Sequence, residues 1–224
     1  MRELDDLLEV SPWWHALTAP QRERARAAIR VVDVAANGMV VDRGEPVLSW
    51  IGVVDGLVSL CNTDHTGKTV ALAGITRGGW FGEGSVLKDE PRRFQAFATR
   101  DSRVAHMPSE TFLWLLDNSI GFNRFVILQL NERLGFFISA LESQRLFGPE
   151  ARLARCIAQF FNPLYPARDL QLDFTQQELG MLSGLSRQRV NQALKVLEDE
   201  GLIEVRYGAV SVVSVQGLLH YGEP

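Results

Sequence analysis

A lone carboxylate and a lone arginine stand close together in the stretch FGEGSVLKDEPRRF, which runs from Phe81 to Phe94. Glu83 is flanked by glycines and precedes Arg92 by nine residues. The pair lacks the second carboxylate that general acid–base hydrolysis requires. The chain also shows no nucleophile–base–acid arrangement and no metal-ligand spacing. We therefore predict no catalytic residues, no metal site and no enzyme activity.

A second polar set lies in the C-terminal stretch TQQELGMLSGLSRQRVNQALKVLEDEGLI. Thr175 and Glu178 have the spacing of a capping box, which predicts the start of a short helix. Gly184 suits a turn that needs a positive φ angle, and Ser186 is a good N-cap for a second helix. This pattern predicts a helix-turn-helix motif.

The second helix of this motif is predicted to have one apolar and one polar face. Its inward residues are Val190, Ala193, Leu194 and Leu197, and its outward residues are Arg187, Gln188, Arg189 and Gln192. Arginine can pair with guanine and glutamine with adenine, so this face could read base edges in a major groove. The alternative is an ordinary helical domain with a solvated polar face. The hairpin LIEVRYGAVSVVSV, turning at Tyr207-Gly208, is predicted to be a wing.

Composition limits the classes of protein that the chain can represent. It has 224 residues, which favours one core domain with a smaller second domain. The net charge of -4 argues against bulk attraction to nucleic acid, so DNA binding must come from a local surface.

Two cysteines cannot form a disulfide framework or a four-thiolate cluster. No apolar run is long enough to span a bilayer, and the N-terminus does not resemble a secretory signal. We expect a cytoplasmic protein.

Three segments follow one another along the chain. Residues 2–30 have a helical pattern, whereas residues 31–108 contain short β-rich runs separated by glycine turns. The predicted turns lie at Asn37-Gly38, Arg43-Gly44, Asp55-Gly56, Thr66-Gly67 and Gly78-Gly79. We predict an α+β fold with a jelly-roll-like β-barrel domain, a long dimerisation helix and a C-terminal winged helix-turn-helix. The corresponding domains are residues 1–118, 119–148 and 149–224.

The long helix, predicted from about Ile120 to Phe147, has apolar residues that alternate at spacings of three and four. This pattern is typical of the seam of a two-stranded coiled coil. The seam residues are Ile127, Leu130, Leu134, Phe137 and Leu141. Asn123 is predicted to lie on the same seam and to fix its register. Phe125, Phe136 and Ile138 are expected to pack against the barrel of their own chain, and the alternative is that the whole helix does so.

Nearly the whole chain resembles the CRP–FNR family of bacterial transcription regulators. The stretches that carry the resemblance are VVDGLVSL, GGWFGEGSVL with PRRF, the long helix, and LSGLSRQRVNQALKVLEDEGLI. The resemblance implies a cyclic-nucleotide-binding roll, a dimerisation helix and a winged helix that binds palindromic DNA as a homodimer. Arg187, Gln188 and Gln192 match the base-reading positions, but the two glutamines depart from the commonest pattern. Thr175, Gln176 and Ser186 match positions that touch phosphates.

The resemblance also gives the Phe81–Phe94 stretch an expected role as a phosphate-binding cassette. In cyclic-nucleotide-binding members the glutamate accepts from the ribose and the arginine pairs with the phosphate, which Glu83 and Arg92 match, and Ser85 also fits. Arg93 stands where a small residue is usual and is expected to take the space of the phosphate.

The positions that hold adenine in members that bind cyclic AMP are Phe137 and Ile138 here, and neither side chain can donate a hydrogen bond. We therefore expect a degenerate effector pocket that does not use cyclic AMP. Two interpretations of Glu83 and Arg92 stay open: a structural ion pair, or a retained site for an unidentified small anionic or nucleotide effector. No cofactor is certain.

The partners that these expectations imply are double-stranded DNA, a second copy of the chain and RNA polymerase, with no membrane. Two rival classes are a regulatory module of an enzyme or channel and a DNA-packing protein. The winged helix after the roll argues against the first class. The acidic balance of the chain argues against the second, because packing DNA without sequence preference relies on positive charge.

Overall fold

A computed structural model of the chain describes residues 2–161, 171–172, 174–206 and 209–223. These residues form two compact units. The first runs to Asn131, and the second begins at Glu132, inside the longest helix. Each unit buries its own set of apolar side chains.

The first unit begins with helices, continues through strands and ends in two helices, as the sequence pattern predicts. Its elements are α1 (Arg2–Val10), α2 (Pro12–His15), α3 (Ala19–Ala28), β1 (Arg30–Val34), β2 (Met39–Val41), β3 (Ser49–Asp55), β4 (Leu57–Thr63), β5 (Thr69–Thr76), β6 (Trp80–Phe81), α4 (Glu83–Lys88), β7 (Gln95–Ala98), β8 (Ser102–Pro108), α5 (Ser109–Asn118) and the first part of α6 (Ile120–Leu146). The observed bounds of α6 agree with the predicted long helix.

The strands form two four-stranded antiparallel sheets, in the orders β1-β8-β3-β6 and β2-β7-β4-β5. The chain passes from the first sheet to the second at Gly56, whose φ is 93° and whose added Cβ would lie 2.2 Å from the Ser102 hydroxyl oxygen. Only glycine fits this corner without strain. The predicted α+β class and roll are confirmed, but the barrel does not close, because no pairing among the described strands joins the two sheets.

An aromatic cluster forms the core of the first unit. Its fully buried members include Trp13, Trp50, Trp80, Phe112 and Phe122, which come from α2, β3, β6, α5 and α6. The rings of Trp50 and Trp80 stack with their centroids 4.4 Å apart, and the other pairs meet edge to face. The cluster therefore fixes the N-terminal helices and the start of α6 against the first sheet.

The start of α6 corrects one prediction and confirms another. The Asn123 amide donates to the carbonyl oxygens of Leu116 and Ser119, so it joins the end of α5 to the first turn of α6. A role for Asn123 in coiled-coil register is therefore not supported. Phe125 is buried in the core as expected. Phe136 and Ile138 lie beyond Asn131, in the second unit, so their predicted packing against the barrel stays a prediction.

The second unit contains the remaining elements of the chain. These are the rest of α6, α7 (Pro149–Ala158), a 3-10 turn (Gln159–Phe161), β9 (Gln171–Leu172), α8 (Gln176–Ser183), α9 (Arg187–Asp199), β10 (Ile203–Arg206), β11 (Ala209–Val212) and α10 (Val215–Leu219). Helices α7, α8 and α9 pack against one another, and the short strands form a sheet in the order β10-β11-β9. This arrangement confirms the predicted winged helix-turn-helix.

Candidate functional site

Two side-chain caps set the starts of α8 and α9. The Glu178 amide donates to the Thr175 hydroxyl oxygen at 3.2 Å, and the Thr175 amide donates to the Glu178 carboxylate at 2.7 Å. The Ser186 hydroxyl oxygen accepts from the Arg189 amide at 3.4 Å. The caps predicted from the sequence are thus confirmed, and they satisfy amides that a helix start leaves unpaired.

The turn between α8 and α9 has the left-handed conformation that was expected. Gly184 has a φ of 67°, and Gly180 lies so close to the next segment that an added Cβ would be 3.0 Å from the Leu185 carbonyl oxygen. The Arg152 guanidinium, from α7, donates to the Ser183 carbonyl at 3.0 Å. The angle between the two helices is therefore held by local backbone geometry and by the helix behind them.

The outward face of α9 carries the predicted base-reading residues. Val190, Ala193, Leu194 and Leu197 are buried, whereas Arg187, Gln188, Arg189 and Gln192 are exposed. The structure therefore brings the four predicted residues onto one surface. It adds Asn191 and Lys195, which are exposed on the same side and which the sequence analysis did not select. Asn191 and Lys195 follow Gln188 by three and seven residues, a spacing that places them on the same side of a helix. This spacing is the sequence signal that could have identified them.

The predicted phosphate-contacting residues lie at the starts of the two helices. Ser186 and Thr175 are exposed, and Gln176 is half-buried. The Thr175 hydroxyl also donates to the Glu178 carboxylate at 3.0 Å, so its proton is engaged within the capping box. A phosphate at this position would have to compete with Glu178 for that proton.

The wing follows α9 directly. Strands β10 and β11 pair as a hairpin, and the Val205 amide donates to the Glu198 carboxylate at 2.8 Å, which joins the wing to α9. The predicted turn at Tyr207-Gly208 lies outside the described residues. Arg206 is exposed and pairs with Glu204 at 3.1 Å.

The loop of the first unit holds its arginine deep in the protein. Arg92 is 3% exposed and donates to the Ser49 carbonyl oxygen at 2.5 Å and to the Gly82 carbonyl oxygen at 3.5 Å. Burial lowers the pKa of Arg92, while the carboxylates of Glu83 and Glu45 favour its charged form. The guanidinium therefore has both hydrogen-bond acceptors and opposite charges within its own chain.

The other kept residues of the cassette lie at the start of α4. Glu83 is 2% exposed and begins α4, and Ser85 is buried in the same helix. Gly82 precedes them with a φ of 92°, and an added Cβ there would lie 2.2 Å from an Arg92 nitrogen. Glu83 and Arg92 are thus brought close enough to interact electrostatically, and Ser85 is buried in the helix that Glu83 begins.

Arg93 does not occupy the place that the sequence analysis expected. Its side chain is 69% exposed and pairs with the Glu90 carboxylate at 2.7 Å, which raises the pKa of Arg93. The expectation that Arg93 takes the space of a phosphate is therefore wrong in this structure. The physical reason is that a charged side chain gains water and a surface ion pair by turning outward.

Two residues that the sequence analysis did not connect with the cassette lie beside Arg92. The Ser49 hydroxyl and the His106 Nδ1 atom are 2.9 Å apart and share a hydrogen bond between β3 and β8. Burial, and after it the charge of Arg92, hold the pKa of His106 below its usual value. Only the strand pairing brings these residues together, so no sequence motif could have found them.

The seam residues of α6 are exposed in the single chain. Ile127, Leu130, Leu134, Phe137 and Leu141 are between 37% and 63% exposed. Phe137 and Ile138 lie beyond Asn131, in the second unit, so their predicted place beside an effector stays a prediction. A row of exposed apolar side chains along one helix is typical of an interaction surface.

Other kinds of site have no support in the described part of the chain. No group of His, Cys, Asp and Glu side chains there could hold a metal ion. Cys61 and Cys156 are free and buried, and burial raises the pKa of Cys61 and raises that of Cys156 to about 12. Both thiols therefore stay protonated at neutral pH. No helix among the described residues is long and apolar enough to cross a membrane.

Comparisons with known proteins match both units. The model of the cyclic nucleotide-binding domain matches residues 31–119, and that of the Crp-like helix-turn-helix domain matches residues 151–221. The cAMP-activated global transcriptional regulator CRP of Haemophilus influenzae is 24% identical over 182 residues, covering 80% of this chain and 81% of the relative. The Cyclic AMP receptor protein of Thermus thermophilus is 29% identical over 168 residues, covering 71% of this chain and 73% of the relative.

Solved structures show the same fold. FixK2 from Bradyrhizobium japonicum has a TM-score of 0.70 at 18% identity, over 85% of this chain and 95% of that chain. At this level of identity the likeness concerns the fold alone.

Proposed function

Because the chain belongs to the CRP–FNR family of transcription regulators, we propose that it acts as a homodimer that binds palindromic DNA and carries a degenerate effector pocket. The observation that carries the proposal is the surface of α9, where an apolar side is buried and a polar side is exposed. Arg187, Gln188 and Gln192 would read bases on this surface, and Arg189 would assist them. Thr175, Gln176 and Ser186 would contact phosphates.

The proposal of a homodimer is supported by the exposed apolar seam of α6. Two copies of this helix could bury their apolar rows against each other, as a coiled coil does. A two-fold axis along the pair would place two recognition helices in successive major grooves, about 34 Å apart. The palindromic site follows from that symmetry.

Two separate features support the proposal that the effector pocket is degenerate. Arg92 already donates to two carbonyl oxygens of its own chain, so the buried guanidinium is stabilised when no phosphate is bound. Phe137 and Ile138 offer no hydrogen-bond donor to a nucleotide base. An adenine there would lose partners, at a cost of about 1–3 kcal/mol for each unsatisfied group. Cyclic AMP is therefore not expected to be the effector.

One alternative has specific support. Glu83, Ser85 and Arg92 are all buried, and the Arg93 side chain is exposed and pairs with the Glu90 carboxylate. In this alternative the regulator retains an effector, a small anionic or nucleotide ligand, that binds through Glu83 and Arg92. Such a ligand would regulate DNA binding only by binding one arrangement of the dimer more tightly than another.

The proposal extends to location and to a further partner. A regulator of this family that binds bacterial promoters would work in the cytoplasm and would act on RNA polymerase. Whether it activates or represses depends on where its site lies relative to the polymerase.

The proposed function is tested by measuring how tightly the protein binds DNA from upstream of its own gene. Fluorescence anisotropy gives this affinity at one fixed salt concentration, with and without cyclic AMP. We expect tight binding that cyclic AMP does not change. Binding that requires cyclic AMP would contradict the degenerate pocket and favour the alternative. No binding to any tested promoter fragment would contradict DNA regulation itself.

A variant separates sequence reading from general DNA packing. Arg187→Ala should weaken binding to the specific site and leave binding to unrelated DNA nearly unchanged. Equal weakening on all DNA would favour a packing protein. Arg43→Ala is the matched control, because Arg43 is an exposed arginine of the first unit.

A further inference from the structure

The centre of the outward face of α9 is occupied by two glutamines. Successive residues of an α-helix are turned by about 100°, and the buried residues Val190, Ala193, Leu194 and Leu197 define the inward direction. Gln188 and Gln192 point in the opposite direction, and both are exposed. Among the described residues, none forms a hydrogen bond with either side-chain amide. The two amides are therefore available to a ligand that faces α9.

The charged residues border these amides. Arg187 and Arg189 are each turned by about 100° from Gln188, one to either side. The first turn of α9 contains no acidic residue. The first two turns of the reading face are thus neutral along their middle, with hydrogen-bond donors and acceptors, and two arginines lie along their edges. The charged residue nearest the middle of the face is Lys195, which lies two turns beyond Gln188.

This chemistry matches one base better than the others. A glutamine amide can accept from the adenine N6 amine and donate to the adenine N7 atom, whereas cytosine is best read by a carboxylate and guanine by a cation. Two neutral amides at the centre of the face therefore select adenine twice.

The spacing of the amides limits where the two adenines can lie. Residues that are four apart on a helix are separated by about 6 Å along its axis. Successive bases on one strand are separated by about 3.4 Å. Gln188 and Gln192 can therefore reach bases that are neighbours or that have one base pair between them.

We infer that each half-site contains two A·T pairs, adjacent or one pair apart, whose adenines are read in the major groove by Gln188 and Gln192. The inference rests on the proposed function, because it requires α9 to lie in that groove. It goes further by naming the base pairs that the chain selects.

Selection of duplexes from a random-sequence pool by the full-length protein provides the test. We expect enriched half-sites with two A·T pairs at this spacing. Replacing either adenine by 7-deazaadenine removes the N7 acceptor and leaves a glutamine N–H without a partner, which should weaken binding by about 5- to 150-fold, the range for one unsatisfied buried donor. Enriched sites that lack the two A·T pairs, or that tolerate 7-deazaadenine at both positions, would overturn the inference while leaving DNA binding intact.

Variants assign each adenine to one glutamine. Gln188→Ala and Gln192→Ala should each remove the 7-deazaadenine effect at one position only. Gln192→Glu should change the preference at its position from A·T to a pair that offers the cytosine amine. Unchanged preferences in all three variants would contradict the assignment. Gln216→Ala is the control, because it removes the side-chain amide of an exposed glutamine in α10 and not on α9. It should leave the base preferences unchanged.

Failure of the proposed function gives a different result. If the protein enriches no sequence and binds no duplex, DNA regulation is contradicted and the inference falls with it.

Discussion

The side-chain amide of Gln129 donates a hydrogen bond to the Trp80 carbonyl oxygen at 3.0 Å. Gln129 lies on α6 and is 1% exposed, and Trp80 belongs to β6, which ends immediately before Gly82. One buried bond therefore ties the long helix to the strand that leads into the candidate effector pocket.

Gln129→Leu should lower the free energy of unfolding by about 1–3 kcal/mol, because a buried carbonyl loses this donor. Urea unfolding followed by tryptophan fluorescence measures the change, at one protein concentration since the protein is proposed to be a dimer. Gln144→Leu is the control, at an exposed glutamine of the same helix. Equal stability of the two variants would show that the bond contributes little.

A double substitution on α6 should restore an affinity for cyclic AMP. Phe137→Thr with Ile138→Ser supplies the hydroxyl groups that the resemblance places beside adenine. Isothermal titration calorimetry should detect cyclic AMP binding to this variant and not to the parent protein. The same double variant with Arg92→Ala should lose the binding again. If the double variant binds no nucleotide, the loss of base contacts does not explain the degenerate pocket.

A charge on the seam should separate the dimer. Leu134→Glu would place two like charges in the proposed coiled coil and would remove apolar burial worth about 1.5–3 kcal/mol for each copy. We therefore expect the dimer dissociation constant to rise by at least about 100-fold. Sedimentation velocity at several concentrations measures this constant. Leu48→Glu is the control, because Leu48 is an exposed leucine in the segment before β3 and is not part of α6. An equal effect of this control would place the interface elsewhere.

The buried histidine should make the stability depend on pH. Burial and the charge of Arg92 lower the pKa of His106 in the folded state, so the unfolded chain binds the proton more readily. The stability that neutral His106 provides is therefore complete above its unfolded pKa of about 6.5 and is lost as the pH falls below that value.

Urea unfolding between pH 7.5 and pH 5.5 measures this dependence. His106→Asn should flatten the slope in that window, since asparagine cannot take up a proton there. His15→Asn, at an exposed histidine, is the control. An unchanged slope in His106→Asn would assign the pH dependence to other groups.

Local features of the site followed from the sequence because each one needs only residues close together in the chain. The capping box of Thr175 and Glu178 spans four positions, and the positive φ of Gly184 reflects the freedom of glycine. The α9 face followed from the helical period for the same reason. The direction of the Arg93 side chain did not follow from the sequence. A long charged side chain on the surface is oriented by a nearby partner, which here is Glu90.

The sequence by itself determined the order of the elements, the two kinds of domain, the polar face of α9 and the apolar seam of α6. These are periodic or capping patterns, and their physical cause lies within one element. Only the tertiary structure decided that Arg92 donates to Ser49, that Ser49 meets His106, and that Gln129 reaches Trp80. These contacts join residues about forty to sixty positions apart, and strand order and core packing bring them together, which no local pattern encodes.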